Sequence, residues 1–263
     1  MLVFAAITPH SPLLLPTIGR GKEKQLAGTH KAFEELAAKL KEARPDVLLV
    51  ISPHGPVVRD AITLNLHEAY EGDLSEFGDI GTRPRFEPAP ALAERFRRIL
   101  RGHQVPLCLA SSHVVDYGVS VPLVLTMQSG SKIIPMGPAL DLDFKLHFKT
   151  GEILKEEIVA SQKRVALIAS SDLSHRLASD APAGFSPQGQ KFDTTLREAL
   201  EAKNTSRLLG MDPELVVEAA PCGFRAILLA LGILSEAVYT PRTLAYEAPF
   251  GVGYLTMDFA LSV

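Results

Sequence analysis

Two continuous apolar runs restrict the folds open to this chain more than any other feature of its sequence. They are "VLLVIS" at residues 47–52 and "VALIAS" at residues 165–170, and neither has a polar residue before its final serine. A strand with one face in water alternates apolar and polar residues, so an unbroken apolar run indicates a strand buried on both faces. Strands of this kind occur in sheets that helices cover on each side. The two runs therefore predict an α/β fold.

Similar apolar runs alternate with segments of helical periodicity from one end of the chain to the other. The predicted strands are residues 2–8, 47–52, 61–66, 107–111, 132–136, 165–170 and 253–259. The predicted helices are residues 21–43, 89–101, 119–128, 144–160, 189–203 and 214–234. Repeated strand–helix alternation predicts a mainly parallel central sheet flanked by helices. Because no low-complexity linker divides the chain, we expect one domain over residues 1–263. Residues 68–90 form the longest loop-like or hairpin segment, an expected insertion near the mouth of a site.

Composition and charge exclude several classes of protein. The net charge of −3 argues against a strongly basic nucleic-acid binder. No apolar run approaches the roughly 18 residues of a membrane span, and the first residues lack the basic region of a signal peptide. Cys108 and Cys222 are too few for a disulfide framework in a chain of 263 residues. We therefore expect a cytoplasmic protein without nucleic-acid or membrane partners.

A histidine follows four of the predicted strands. These residues are His10, His54, His113 and His175. Ligands of open α/β sheets bind beyond the carboxyl ends of the strands, so we expect all four at one edge of the sheet. The remaining histidines follow no buried strand and are predicted to lie on the surface: His30, His67, His103 and His147.

The strand-end histidines suggest a metal site. Imidazole is the commonest metal ligand in proteins, and a non-haem Fe(II) site uses two histidines and one anionic group on one face. His10 and His54, each preceded by a proline, are the candidate pair. Three residues are candidates for the third ligand: Glu218, Cys222 and Glu247. Cys222 directly precedes an apolar helix, whose macrodipole is expected to favour the metal-binding thiolate.

Five motifs, in this order, resemble those of the class III (LigB-type) extradiol ring-cleavage dioxygenases and their Memo-like relatives. They are "ITPHSPLLLP", "ISPHGP", "DYGVSVPL", "SSDLSH" and "PCGFRAIL", and the resemblance runs from residue 3 to about residue 255. It implies a single α/β domain with one metal ion, usually Fe(II), at the strand ends. His10 and His54 match the two histidine ligands, and His175 matches the catalytic acid/base. The implied partners are a catechol-type aromatic substrate and O2, and members of the family are often homodimers.

Two positions depart from the ring-cleaving members. Those enzymes take their third ligand from a glutamate, whereas the Memo-like branch has the Cys-Gly that occurs here at Cys222. A thiolate is softer than a carboxylate and raises the affinity for Cu or Zn relative to Fe(II). In "DYGVSVPL", Tyr117 stands where ring-cleaving enzymes have a histidine. A phenol donates a hydrogen bond but is not a base at neutral pH. Either His113 takes over that role or the activity differs.

Three functions stay open at this point. The first is a non-haem metal-dependent oxidoreductase of the extradiol dioxygenase type, with His175 as acid/base and Asp172, His113 and Tyr117 beside it. The second is a Memo-like metal-binding protein that acts in redox chemistry or in a protein-modification pathway without ring cleavage, which Cys222 favours. The third is an interaction domain with a vestigial pocket, against which the four strand-end histidines argue.

Overall fold

The computed structural model describes residues 1–127 and 131–262. The strands of this part are β1 Leu2–Thr8, β2 Val47–Ile51, β3 Ile62–Asn65, β4 Tyr70–Gly72, β5 Arg85–Phe86, β6 Leu107–Ala110, β7 Val114–Val115, β8 Lys132–Gly137, β9 Val165–Ser170, β10 Tyr239–Glu247 and β11 Tyr254–Leu261. The helices are α1 Pro16–Gly19, α2 Ala27–Ala43, α3 Pro90–Gly102, α4 Tyr117–Thr126, α5 Phe144–Ala160, α6 Pro187–Glu201, α7 Thr205–Leu209, α8 Pro213–Ala219 and α9 Phe224–Ile233. Gln128, the last residue of one predicted helix, lies outside the described residues.

The central sheet has eight strands in the order β10-β11-β1-β9-β2-β8-β3-β6. Its four middle strands, β1, β9, β2 and β8, are parallel to one another. This confirms the predicted single α/β domain with a mainly parallel sheet. The strands on either side of these four run in the opposite direction: β11 is antiparallel to β1, and β3 is antiparallel to β8. Strand β6 is parallel to β3 and so shares its reversed direction.

Helices cover both faces of the sheet, as the unbroken apolar runs predict. Along β2, Leu49 belongs with Phe96 of α3 and Leu228 of α9 to the largest core cluster of the described residues. Leu48, the preceding residue of the same strand, packs on the opposite face with Leu36 of α2. Alternate residues of one strand thus enter different cores, and each must be apolar.

Several helices begin at a side chain that accepts hydrogen bonds from the first turn. Asp116, Asp143 and Ser186 do this for α4, α5 and α6. Helix α6 begins two residues before its predicted start because Ser186 caps it and Pro187 fits the first helical position. The segment predicted as helix over residues 214–234 is two helices, α8 and α9, separated by a break that contains the "PCG" sequence.

One prediction about a single residue is wrong, and one strand was not predicted. His147 is expected on the surface, but it is fully buried on the inner face of α5, where its Nε2 accepts from the backbone N–H of Ala139 at 3.2 Å. The strand that was not predicted is β10, which contains Pro241 and lies at an edge of the sheet, where proline is tolerated.

Residues 68–90 form part of a second, three-stranded sheet of order β5-β4-β7. Strand β4 is antiparallel to β5 and parallel to β7, and a 3-10 helix, Ser75–Phe77, lies between β4 and β5. The segment therefore contains the hairpin pairing that its sequence suggested. Within residues 1–127 and 131–262, no helix combines the length and apolar character needed to cross a bilayer.

Candidate metal centre

Three of the predicted ligands converge at the carboxyl edge of the parallel strands. His10 follows β1, His54 follows β2, and Cys222 precedes α9. The Nε2 atom of His10 lies 3.0 Å from Nε2 of His54 and 3.3 Å from Sγ of Cys222. All three donor atoms lie within 4.8 Å of one another. Two nitrogens each about 2.0–2.1 Å from one ion are separated by about 3 Å, so this spacing fits a single transition metal.

Hydrogen bonds fix the tautomer of His10. The Ser170 hydroxyl donates its only proton to the Gly118 carbonyl at 2.5 Å. The Nδ1 of His10 lies 2.8 Å from the same hydroxyl oxygen and must therefore be the donor there. The lone pair of Nε2 is thus left facing His54 and Cys222. Burial, and after it the charge of His175, lowers the pKa of His10 to about 3. His10 is therefore a neutral ligand at physiological pH.

A second set of contacts positions the turn that carries His54. The Ser52 hydroxyl accepts from the His54 backbone N–H at 3.3 Å and donates to the Asp116 carboxylate at 2.5 Å. The same carboxylate accepts from the backbone N–H of Gly118 at 2.8 Å, where α4 begins. Tyr117 lies between Asp116 and Gly118 in the sequence, and its ring stacks on the His54 ring with centroids 4.4 Å apart. The pKa of His54 is also lowered to about 3, mainly by burial and to a smaller extent by the charges of His10 and His175.

Cys222 is the third member of the set. Its thiol lies 3.4 Å from the backbone carbonyl of Asp172, and the following Gly223 packs directly against Ser171. Burial raises the pKa of the Cys222 thiol well above its usual value, and Asp172 raises it further. The expected lowering by the helix dipole is therefore outweighed. A soft metal ion would bind the thiolate by displacing this proton.

Asp172 contacts the candidate ligand His10, and the charge of His175 acts on both His10 and His54. Asp172 Oδ1 accepts from the His10 backbone N–H at 2.9 Å, and its Oδ2 lies 3.7 Å from His10 Nε2. That second contact is not an ion pair, because burial keeps His10 neutral. Burial also raises the pKa of Asp172. His175 Nδ1 donates to the Leu173 carbonyl at 3.0 Å, which leaves Nε2 as its basic nitrogen.

Three other predicted site residues lie apart from this group. His113 follows β6, which runs against the middle strands, so the expectation that it shares their carboxyl edge is wrong. Its exposed ring lies beside His67, with centroids 5.3 Å apart. Glu218 forms an exposed ion pair with Arg176 at 3.4 Å. Glu247 accepts from the backbone N–H groups of Gly28 and Thr29 at the start of α2.

The sequence reasoning missed the residues that hold the ligands. Ser52 and Ser170 end the two apolar runs of residues 47–52 and 165–170, and neither was among the candidate site residues. Both are buried, at 2% and 0% exposure. Ser52 stands two residues before His54, which is a signal that could have identified it, whereas Ser170 contacts His10 of another strand and has no such local signal.

Asp193 of α6 holds the turn that follows β9. Its carboxylate is fully buried and accepts from the Ser174 backbone N–H at 2.9 Å and from the Tyr246 hydroxyl at 2.7 Å. Burial raises the pKa of Asp193 to about 6, against the lowering effects of Tyr246, Ser174 and Arg197. The folded protein thus holds this proton more tightly than the unfolded chain does.

We expect Asp193→Asn to flatten the pH dependence of stability. Because the folded-state pKa is the higher one, Asp193 makes the free energy of unfolding fall as pH rises from about 4 to about 6, by up to about 3 kcal/mol. The asparagine variant lacks this slope. Urea unfolding of both proteins between pH 4 and pH 8 measures it, and parallel curves would contradict the assignment.

Comparison with known proteins agrees with this geometry. An α/β domain that brings two histidines and a cysteine together in this way could hold one metal ion. The model of the LigB family, described as the catalytic LigB subunit of aromatic ring-opening dioxygenase, matches residues 4–257. The chain therefore belongs to the LigB family, as its motifs suggested.

Two similar proteins extend the comparison. Protein CA_C1420 of Clostridium acetobutylicum is 29% identical over 262 residues, which cover 95% of this chain and 56% of that protein. The chain thus spans little more than half the length of this relative. The crystal structure of an uncharacterized protein, JW3007 from Escherichia coli K12, has a TM-score of 0.69 at 17% identity and covers 98% of this chain and 100% of its own. That likeness concerns the fold.

Proposed function

We propose that this protein is a metal-dependent oxidoreductase of the extradiol type, acting on a catechol-like aromatic substrate with O2. The observation that carries the proposal is the convergence of His10, His54 and Cys222 on one point, in a chain of the LigB family. His10 and His54 would bind the ion as neutral imidazoles through Nε2, and Cys222 as a thiolate. Iron(II) in this position would supply the redox chemistry and hold the two substrate oxygens.

The residues around the ligands would handle protons. His175 has a free Nε2, because its Nδ1 is bonded to the Leu173 carbonyl. It can therefore take a proton from a substrate hydroxyl and return it later as an acid. Burial raises the pKa of Tyr117, so its phenol stays protonated and can donate a hydrogen bond to the substrate. The buried Asp172 carboxylate accepts from the His10 backbone N–H and so helps to hold this ligand in place.

A Memo-like function without ring cleavage is the second candidate, and one observation favours it. The third donor is the soft sulfur of Cys222, whereas Glu218 and Glu247 are engaged elsewhere. A sulfur donor favours Cu or Zn over Fe(II). We also infer a cytoplasmic location, because a cysteine ligand must stay reduced and the cytoplasm keeps thiols reduced. The homodimer implied by the resemblance stays a prediction.

The ring-cleavage proposal is tested by oxygen consumption. We expect protein reconstituted with Fe(II) under anaerobic conditions to take up O2 when mixed with one or more members of a catechol panel. His175→Gln should keep its iron and lose about 10²–10⁴-fold of the rate, because it cannot act as the base. Iron-loaded protein that takes up no O2 with any catechol would contradict the proposal. Copper or zinc in protein purified without added metal would support the second candidate.

A further inference from the structure

We propose that Tyr117 is a positioning residue for the ligand His54, and that Phe77 holds Tyr117 in place. The inference rests on the metal centre proposed above. It assigns to the Tyr117 ring a task separate from any contact that its hydroxyl makes with a substrate. It also gives a function to the segment of residues 68–90, which carries Phe77.

The two histidine ligands are oriented in different ways. The His10 ring is held through Nδ1 by the Ser170 hydroxyl at 2.8 Å. For His54, the contacts within residues 1–127 and 131–262 include a backbone bond to Ser52 and the approach to His10, but no hydrogen bond at Nδ1. Histidine ligands usually donate this second N–H to a carbonyl or carboxylate, which fixes the direction of the ring. The His54 ring therefore needs another restraint.

The ring of Tyr117 supplies that restraint. It stacks on His54 with centroids 4.4 Å apart and planes 23° apart. It also meets the His10 ring edge-on, at 5.6 Å and 74°. A flat ring packed over one face of an imidazole limits the rotation of the imidazole about its bond to Cβ. The His10 ring, 4.7 Å from the His54 ring and at 89° to it, limits this rotation further. Tyr117 thus restricts the direction in which the His54 nitrogen points.

Two groups hold Tyr117 itself. Its backbone begins α4, directly after Asp116, whose carboxylate is bonded to Ser52 in the His54 turn. Its side chain meets the edge of Phe77 at 5.1 Å and 78°. The rings therefore form a row in which Phe77 contacts Tyr117 and Tyr117 contacts His54.

The segment that carries Phe77 is anchored to the rest of the domain. Asp79 accepts from the Thr17 hydroxyl at 2.6 Å and from the backbone N–H groups of Gly81 and Thr82 at 3.1 and 2.9 Å. These hydrogen bonds lower the pKa of Asp79 to about 2, and the bond from Thr17 has the largest effect. Because the segment is fixed on both sides of Phe77, by β4 and by Asp79, the aromatic row has a fixed end.

The test measures metal binding directly. The dissociation constant for Zn²⁺ is obtained by competition with a chromogenic chelator, and Co²⁺ loading gives the thiolate-to-cobalt absorption band of the Cys222 bond. Loss of a group that orients a metal-bound histidine lowers affinity about 10- to 100-fold. We expect that loss for Tyr117→Leu, a smaller loss for Phe77→Leu, and a shifted cobalt spectrum in both. Tyr117→Phe keeps the ring and should bind as the wild type does.

Tyr239→Leu is the matched control. Tyr239 has a similar edge contact with Phe259, at 5.3 Å and 86°, on β10 and β11. Removing the Tyr239 ring should lower the stability of the protein, as removing the Tyr117 ring does, and thermal unfolding measures this loss in both variants. It should leave zinc affinity and the cobalt spectrum unchanged. If Tyr117→Leu does not fold, Phe77→Leu decides the question.

The outcomes separate this inference from the proposal on which it rests. Wild-type protein that binds neither Zn²⁺ nor Co²⁺ would overturn the metal centre, and this inference with it. A wild type that binds, together with Tyr117→Leu and Phe77→Leu variants of unchanged affinity, would overturn the positioning role alone. A Tyr117→Phe variant as weak as Tyr117→Leu would also overturn it, because the hydroxyl would then be the group that matters.

Discussion

Replacing His10 with alanine is expected to abolish tight binding of a transition metal. His10 Nε2 is the atom that both other donors approach, at 3.0 Å from His54 and 3.3 Å from Cys222. Loss of an outer partner lowers metal affinity about 10- to 100-fold, so loss of this central ligand should cost on the order of 10³-fold or more. Chelator competition with Zn²⁺ and metal analysis after dialysis measure the effect.

Two further variants make the result specific. Cys222→Ser nearly keeps the size of the side chain while it removes the soft donor, so it should lower affinity without opening a cavity. His103→Ala removes an exposed histidine that follows α3, and it should bind metal as the wild type does. Metal affinity that is unchanged in His10→Ala would show that the three side chains do not form a metal site.

The position of His10 and His54 at one edge of the sheet could be predicted from local sequence. Both residues follow strands that are apolar throughout, and such strands are usually parallel and central. The carboxyl ends of parallel strands lie at one edge, so both histidines were expected on the same side of the sheet. Their contact also requires the strand order, in which only β9 lies between β1 and β2. Cys222 was predicted from chemistry as one of three anionic candidates, and its Cys-Gly sequence resembles the Memo-like branch. The three-dimensional arrangement then places it, and neither Glu218 nor Glu247, beside the two histidines.

The position of His113 could not be predicted in this way. Strand β6 is short and half-exposed, and its direction depends on pairing with β3, which joins β8 in antiparallel fashion. Apolar periodicity identifies a strand but carries no information about its direction. Glu247 shows the same limit, since the start of α2 that its carboxylate contacts is distant in sequence by more than 200 residues.

A close crossing of α5 and α9 predicts a large effect on stability. At Gly232 of α9, an added Cβ would lie 1.9 Å from the backbone oxygen of Phe148. At Gly151 of α5, it would lie 2.1 Å from the backbone oxygen of Leu229. Both obstacles are main-chain atoms of helices packed under the sheet, so neither can rotate away. The two helices can approach this closely only because both positions lack a side chain.

Gly232→Ala should therefore destabilise the protein strongly. Alanine favours an isolated helix over glycine by about 1 kcal/mol, but forcing apart two packed helices costs about 3 kcal/mol or more. The clash dominates, and for a chain of this size we expect a fall in Tm on the order of 10 °C. Gly151→Ala should behave in the same way. Thermal unfolding followed by circular dichroism measures both variants.

Gly102→Ala separates the clash from the general effect of alanine. Gly102 is also helical, as the last residue of α3, and no atom lies within 4 Å of the position of an added Cβ. Its replacement should leave Tm unchanged or raise it slightly, since alanine restricts the unfolded chain. If Gly232→Ala and Gly102→Ala shift Tm by the same amount, helix propensity and not the crossing of α5 and α9 decides the result. The two helices would then be free to separate without loss of stability.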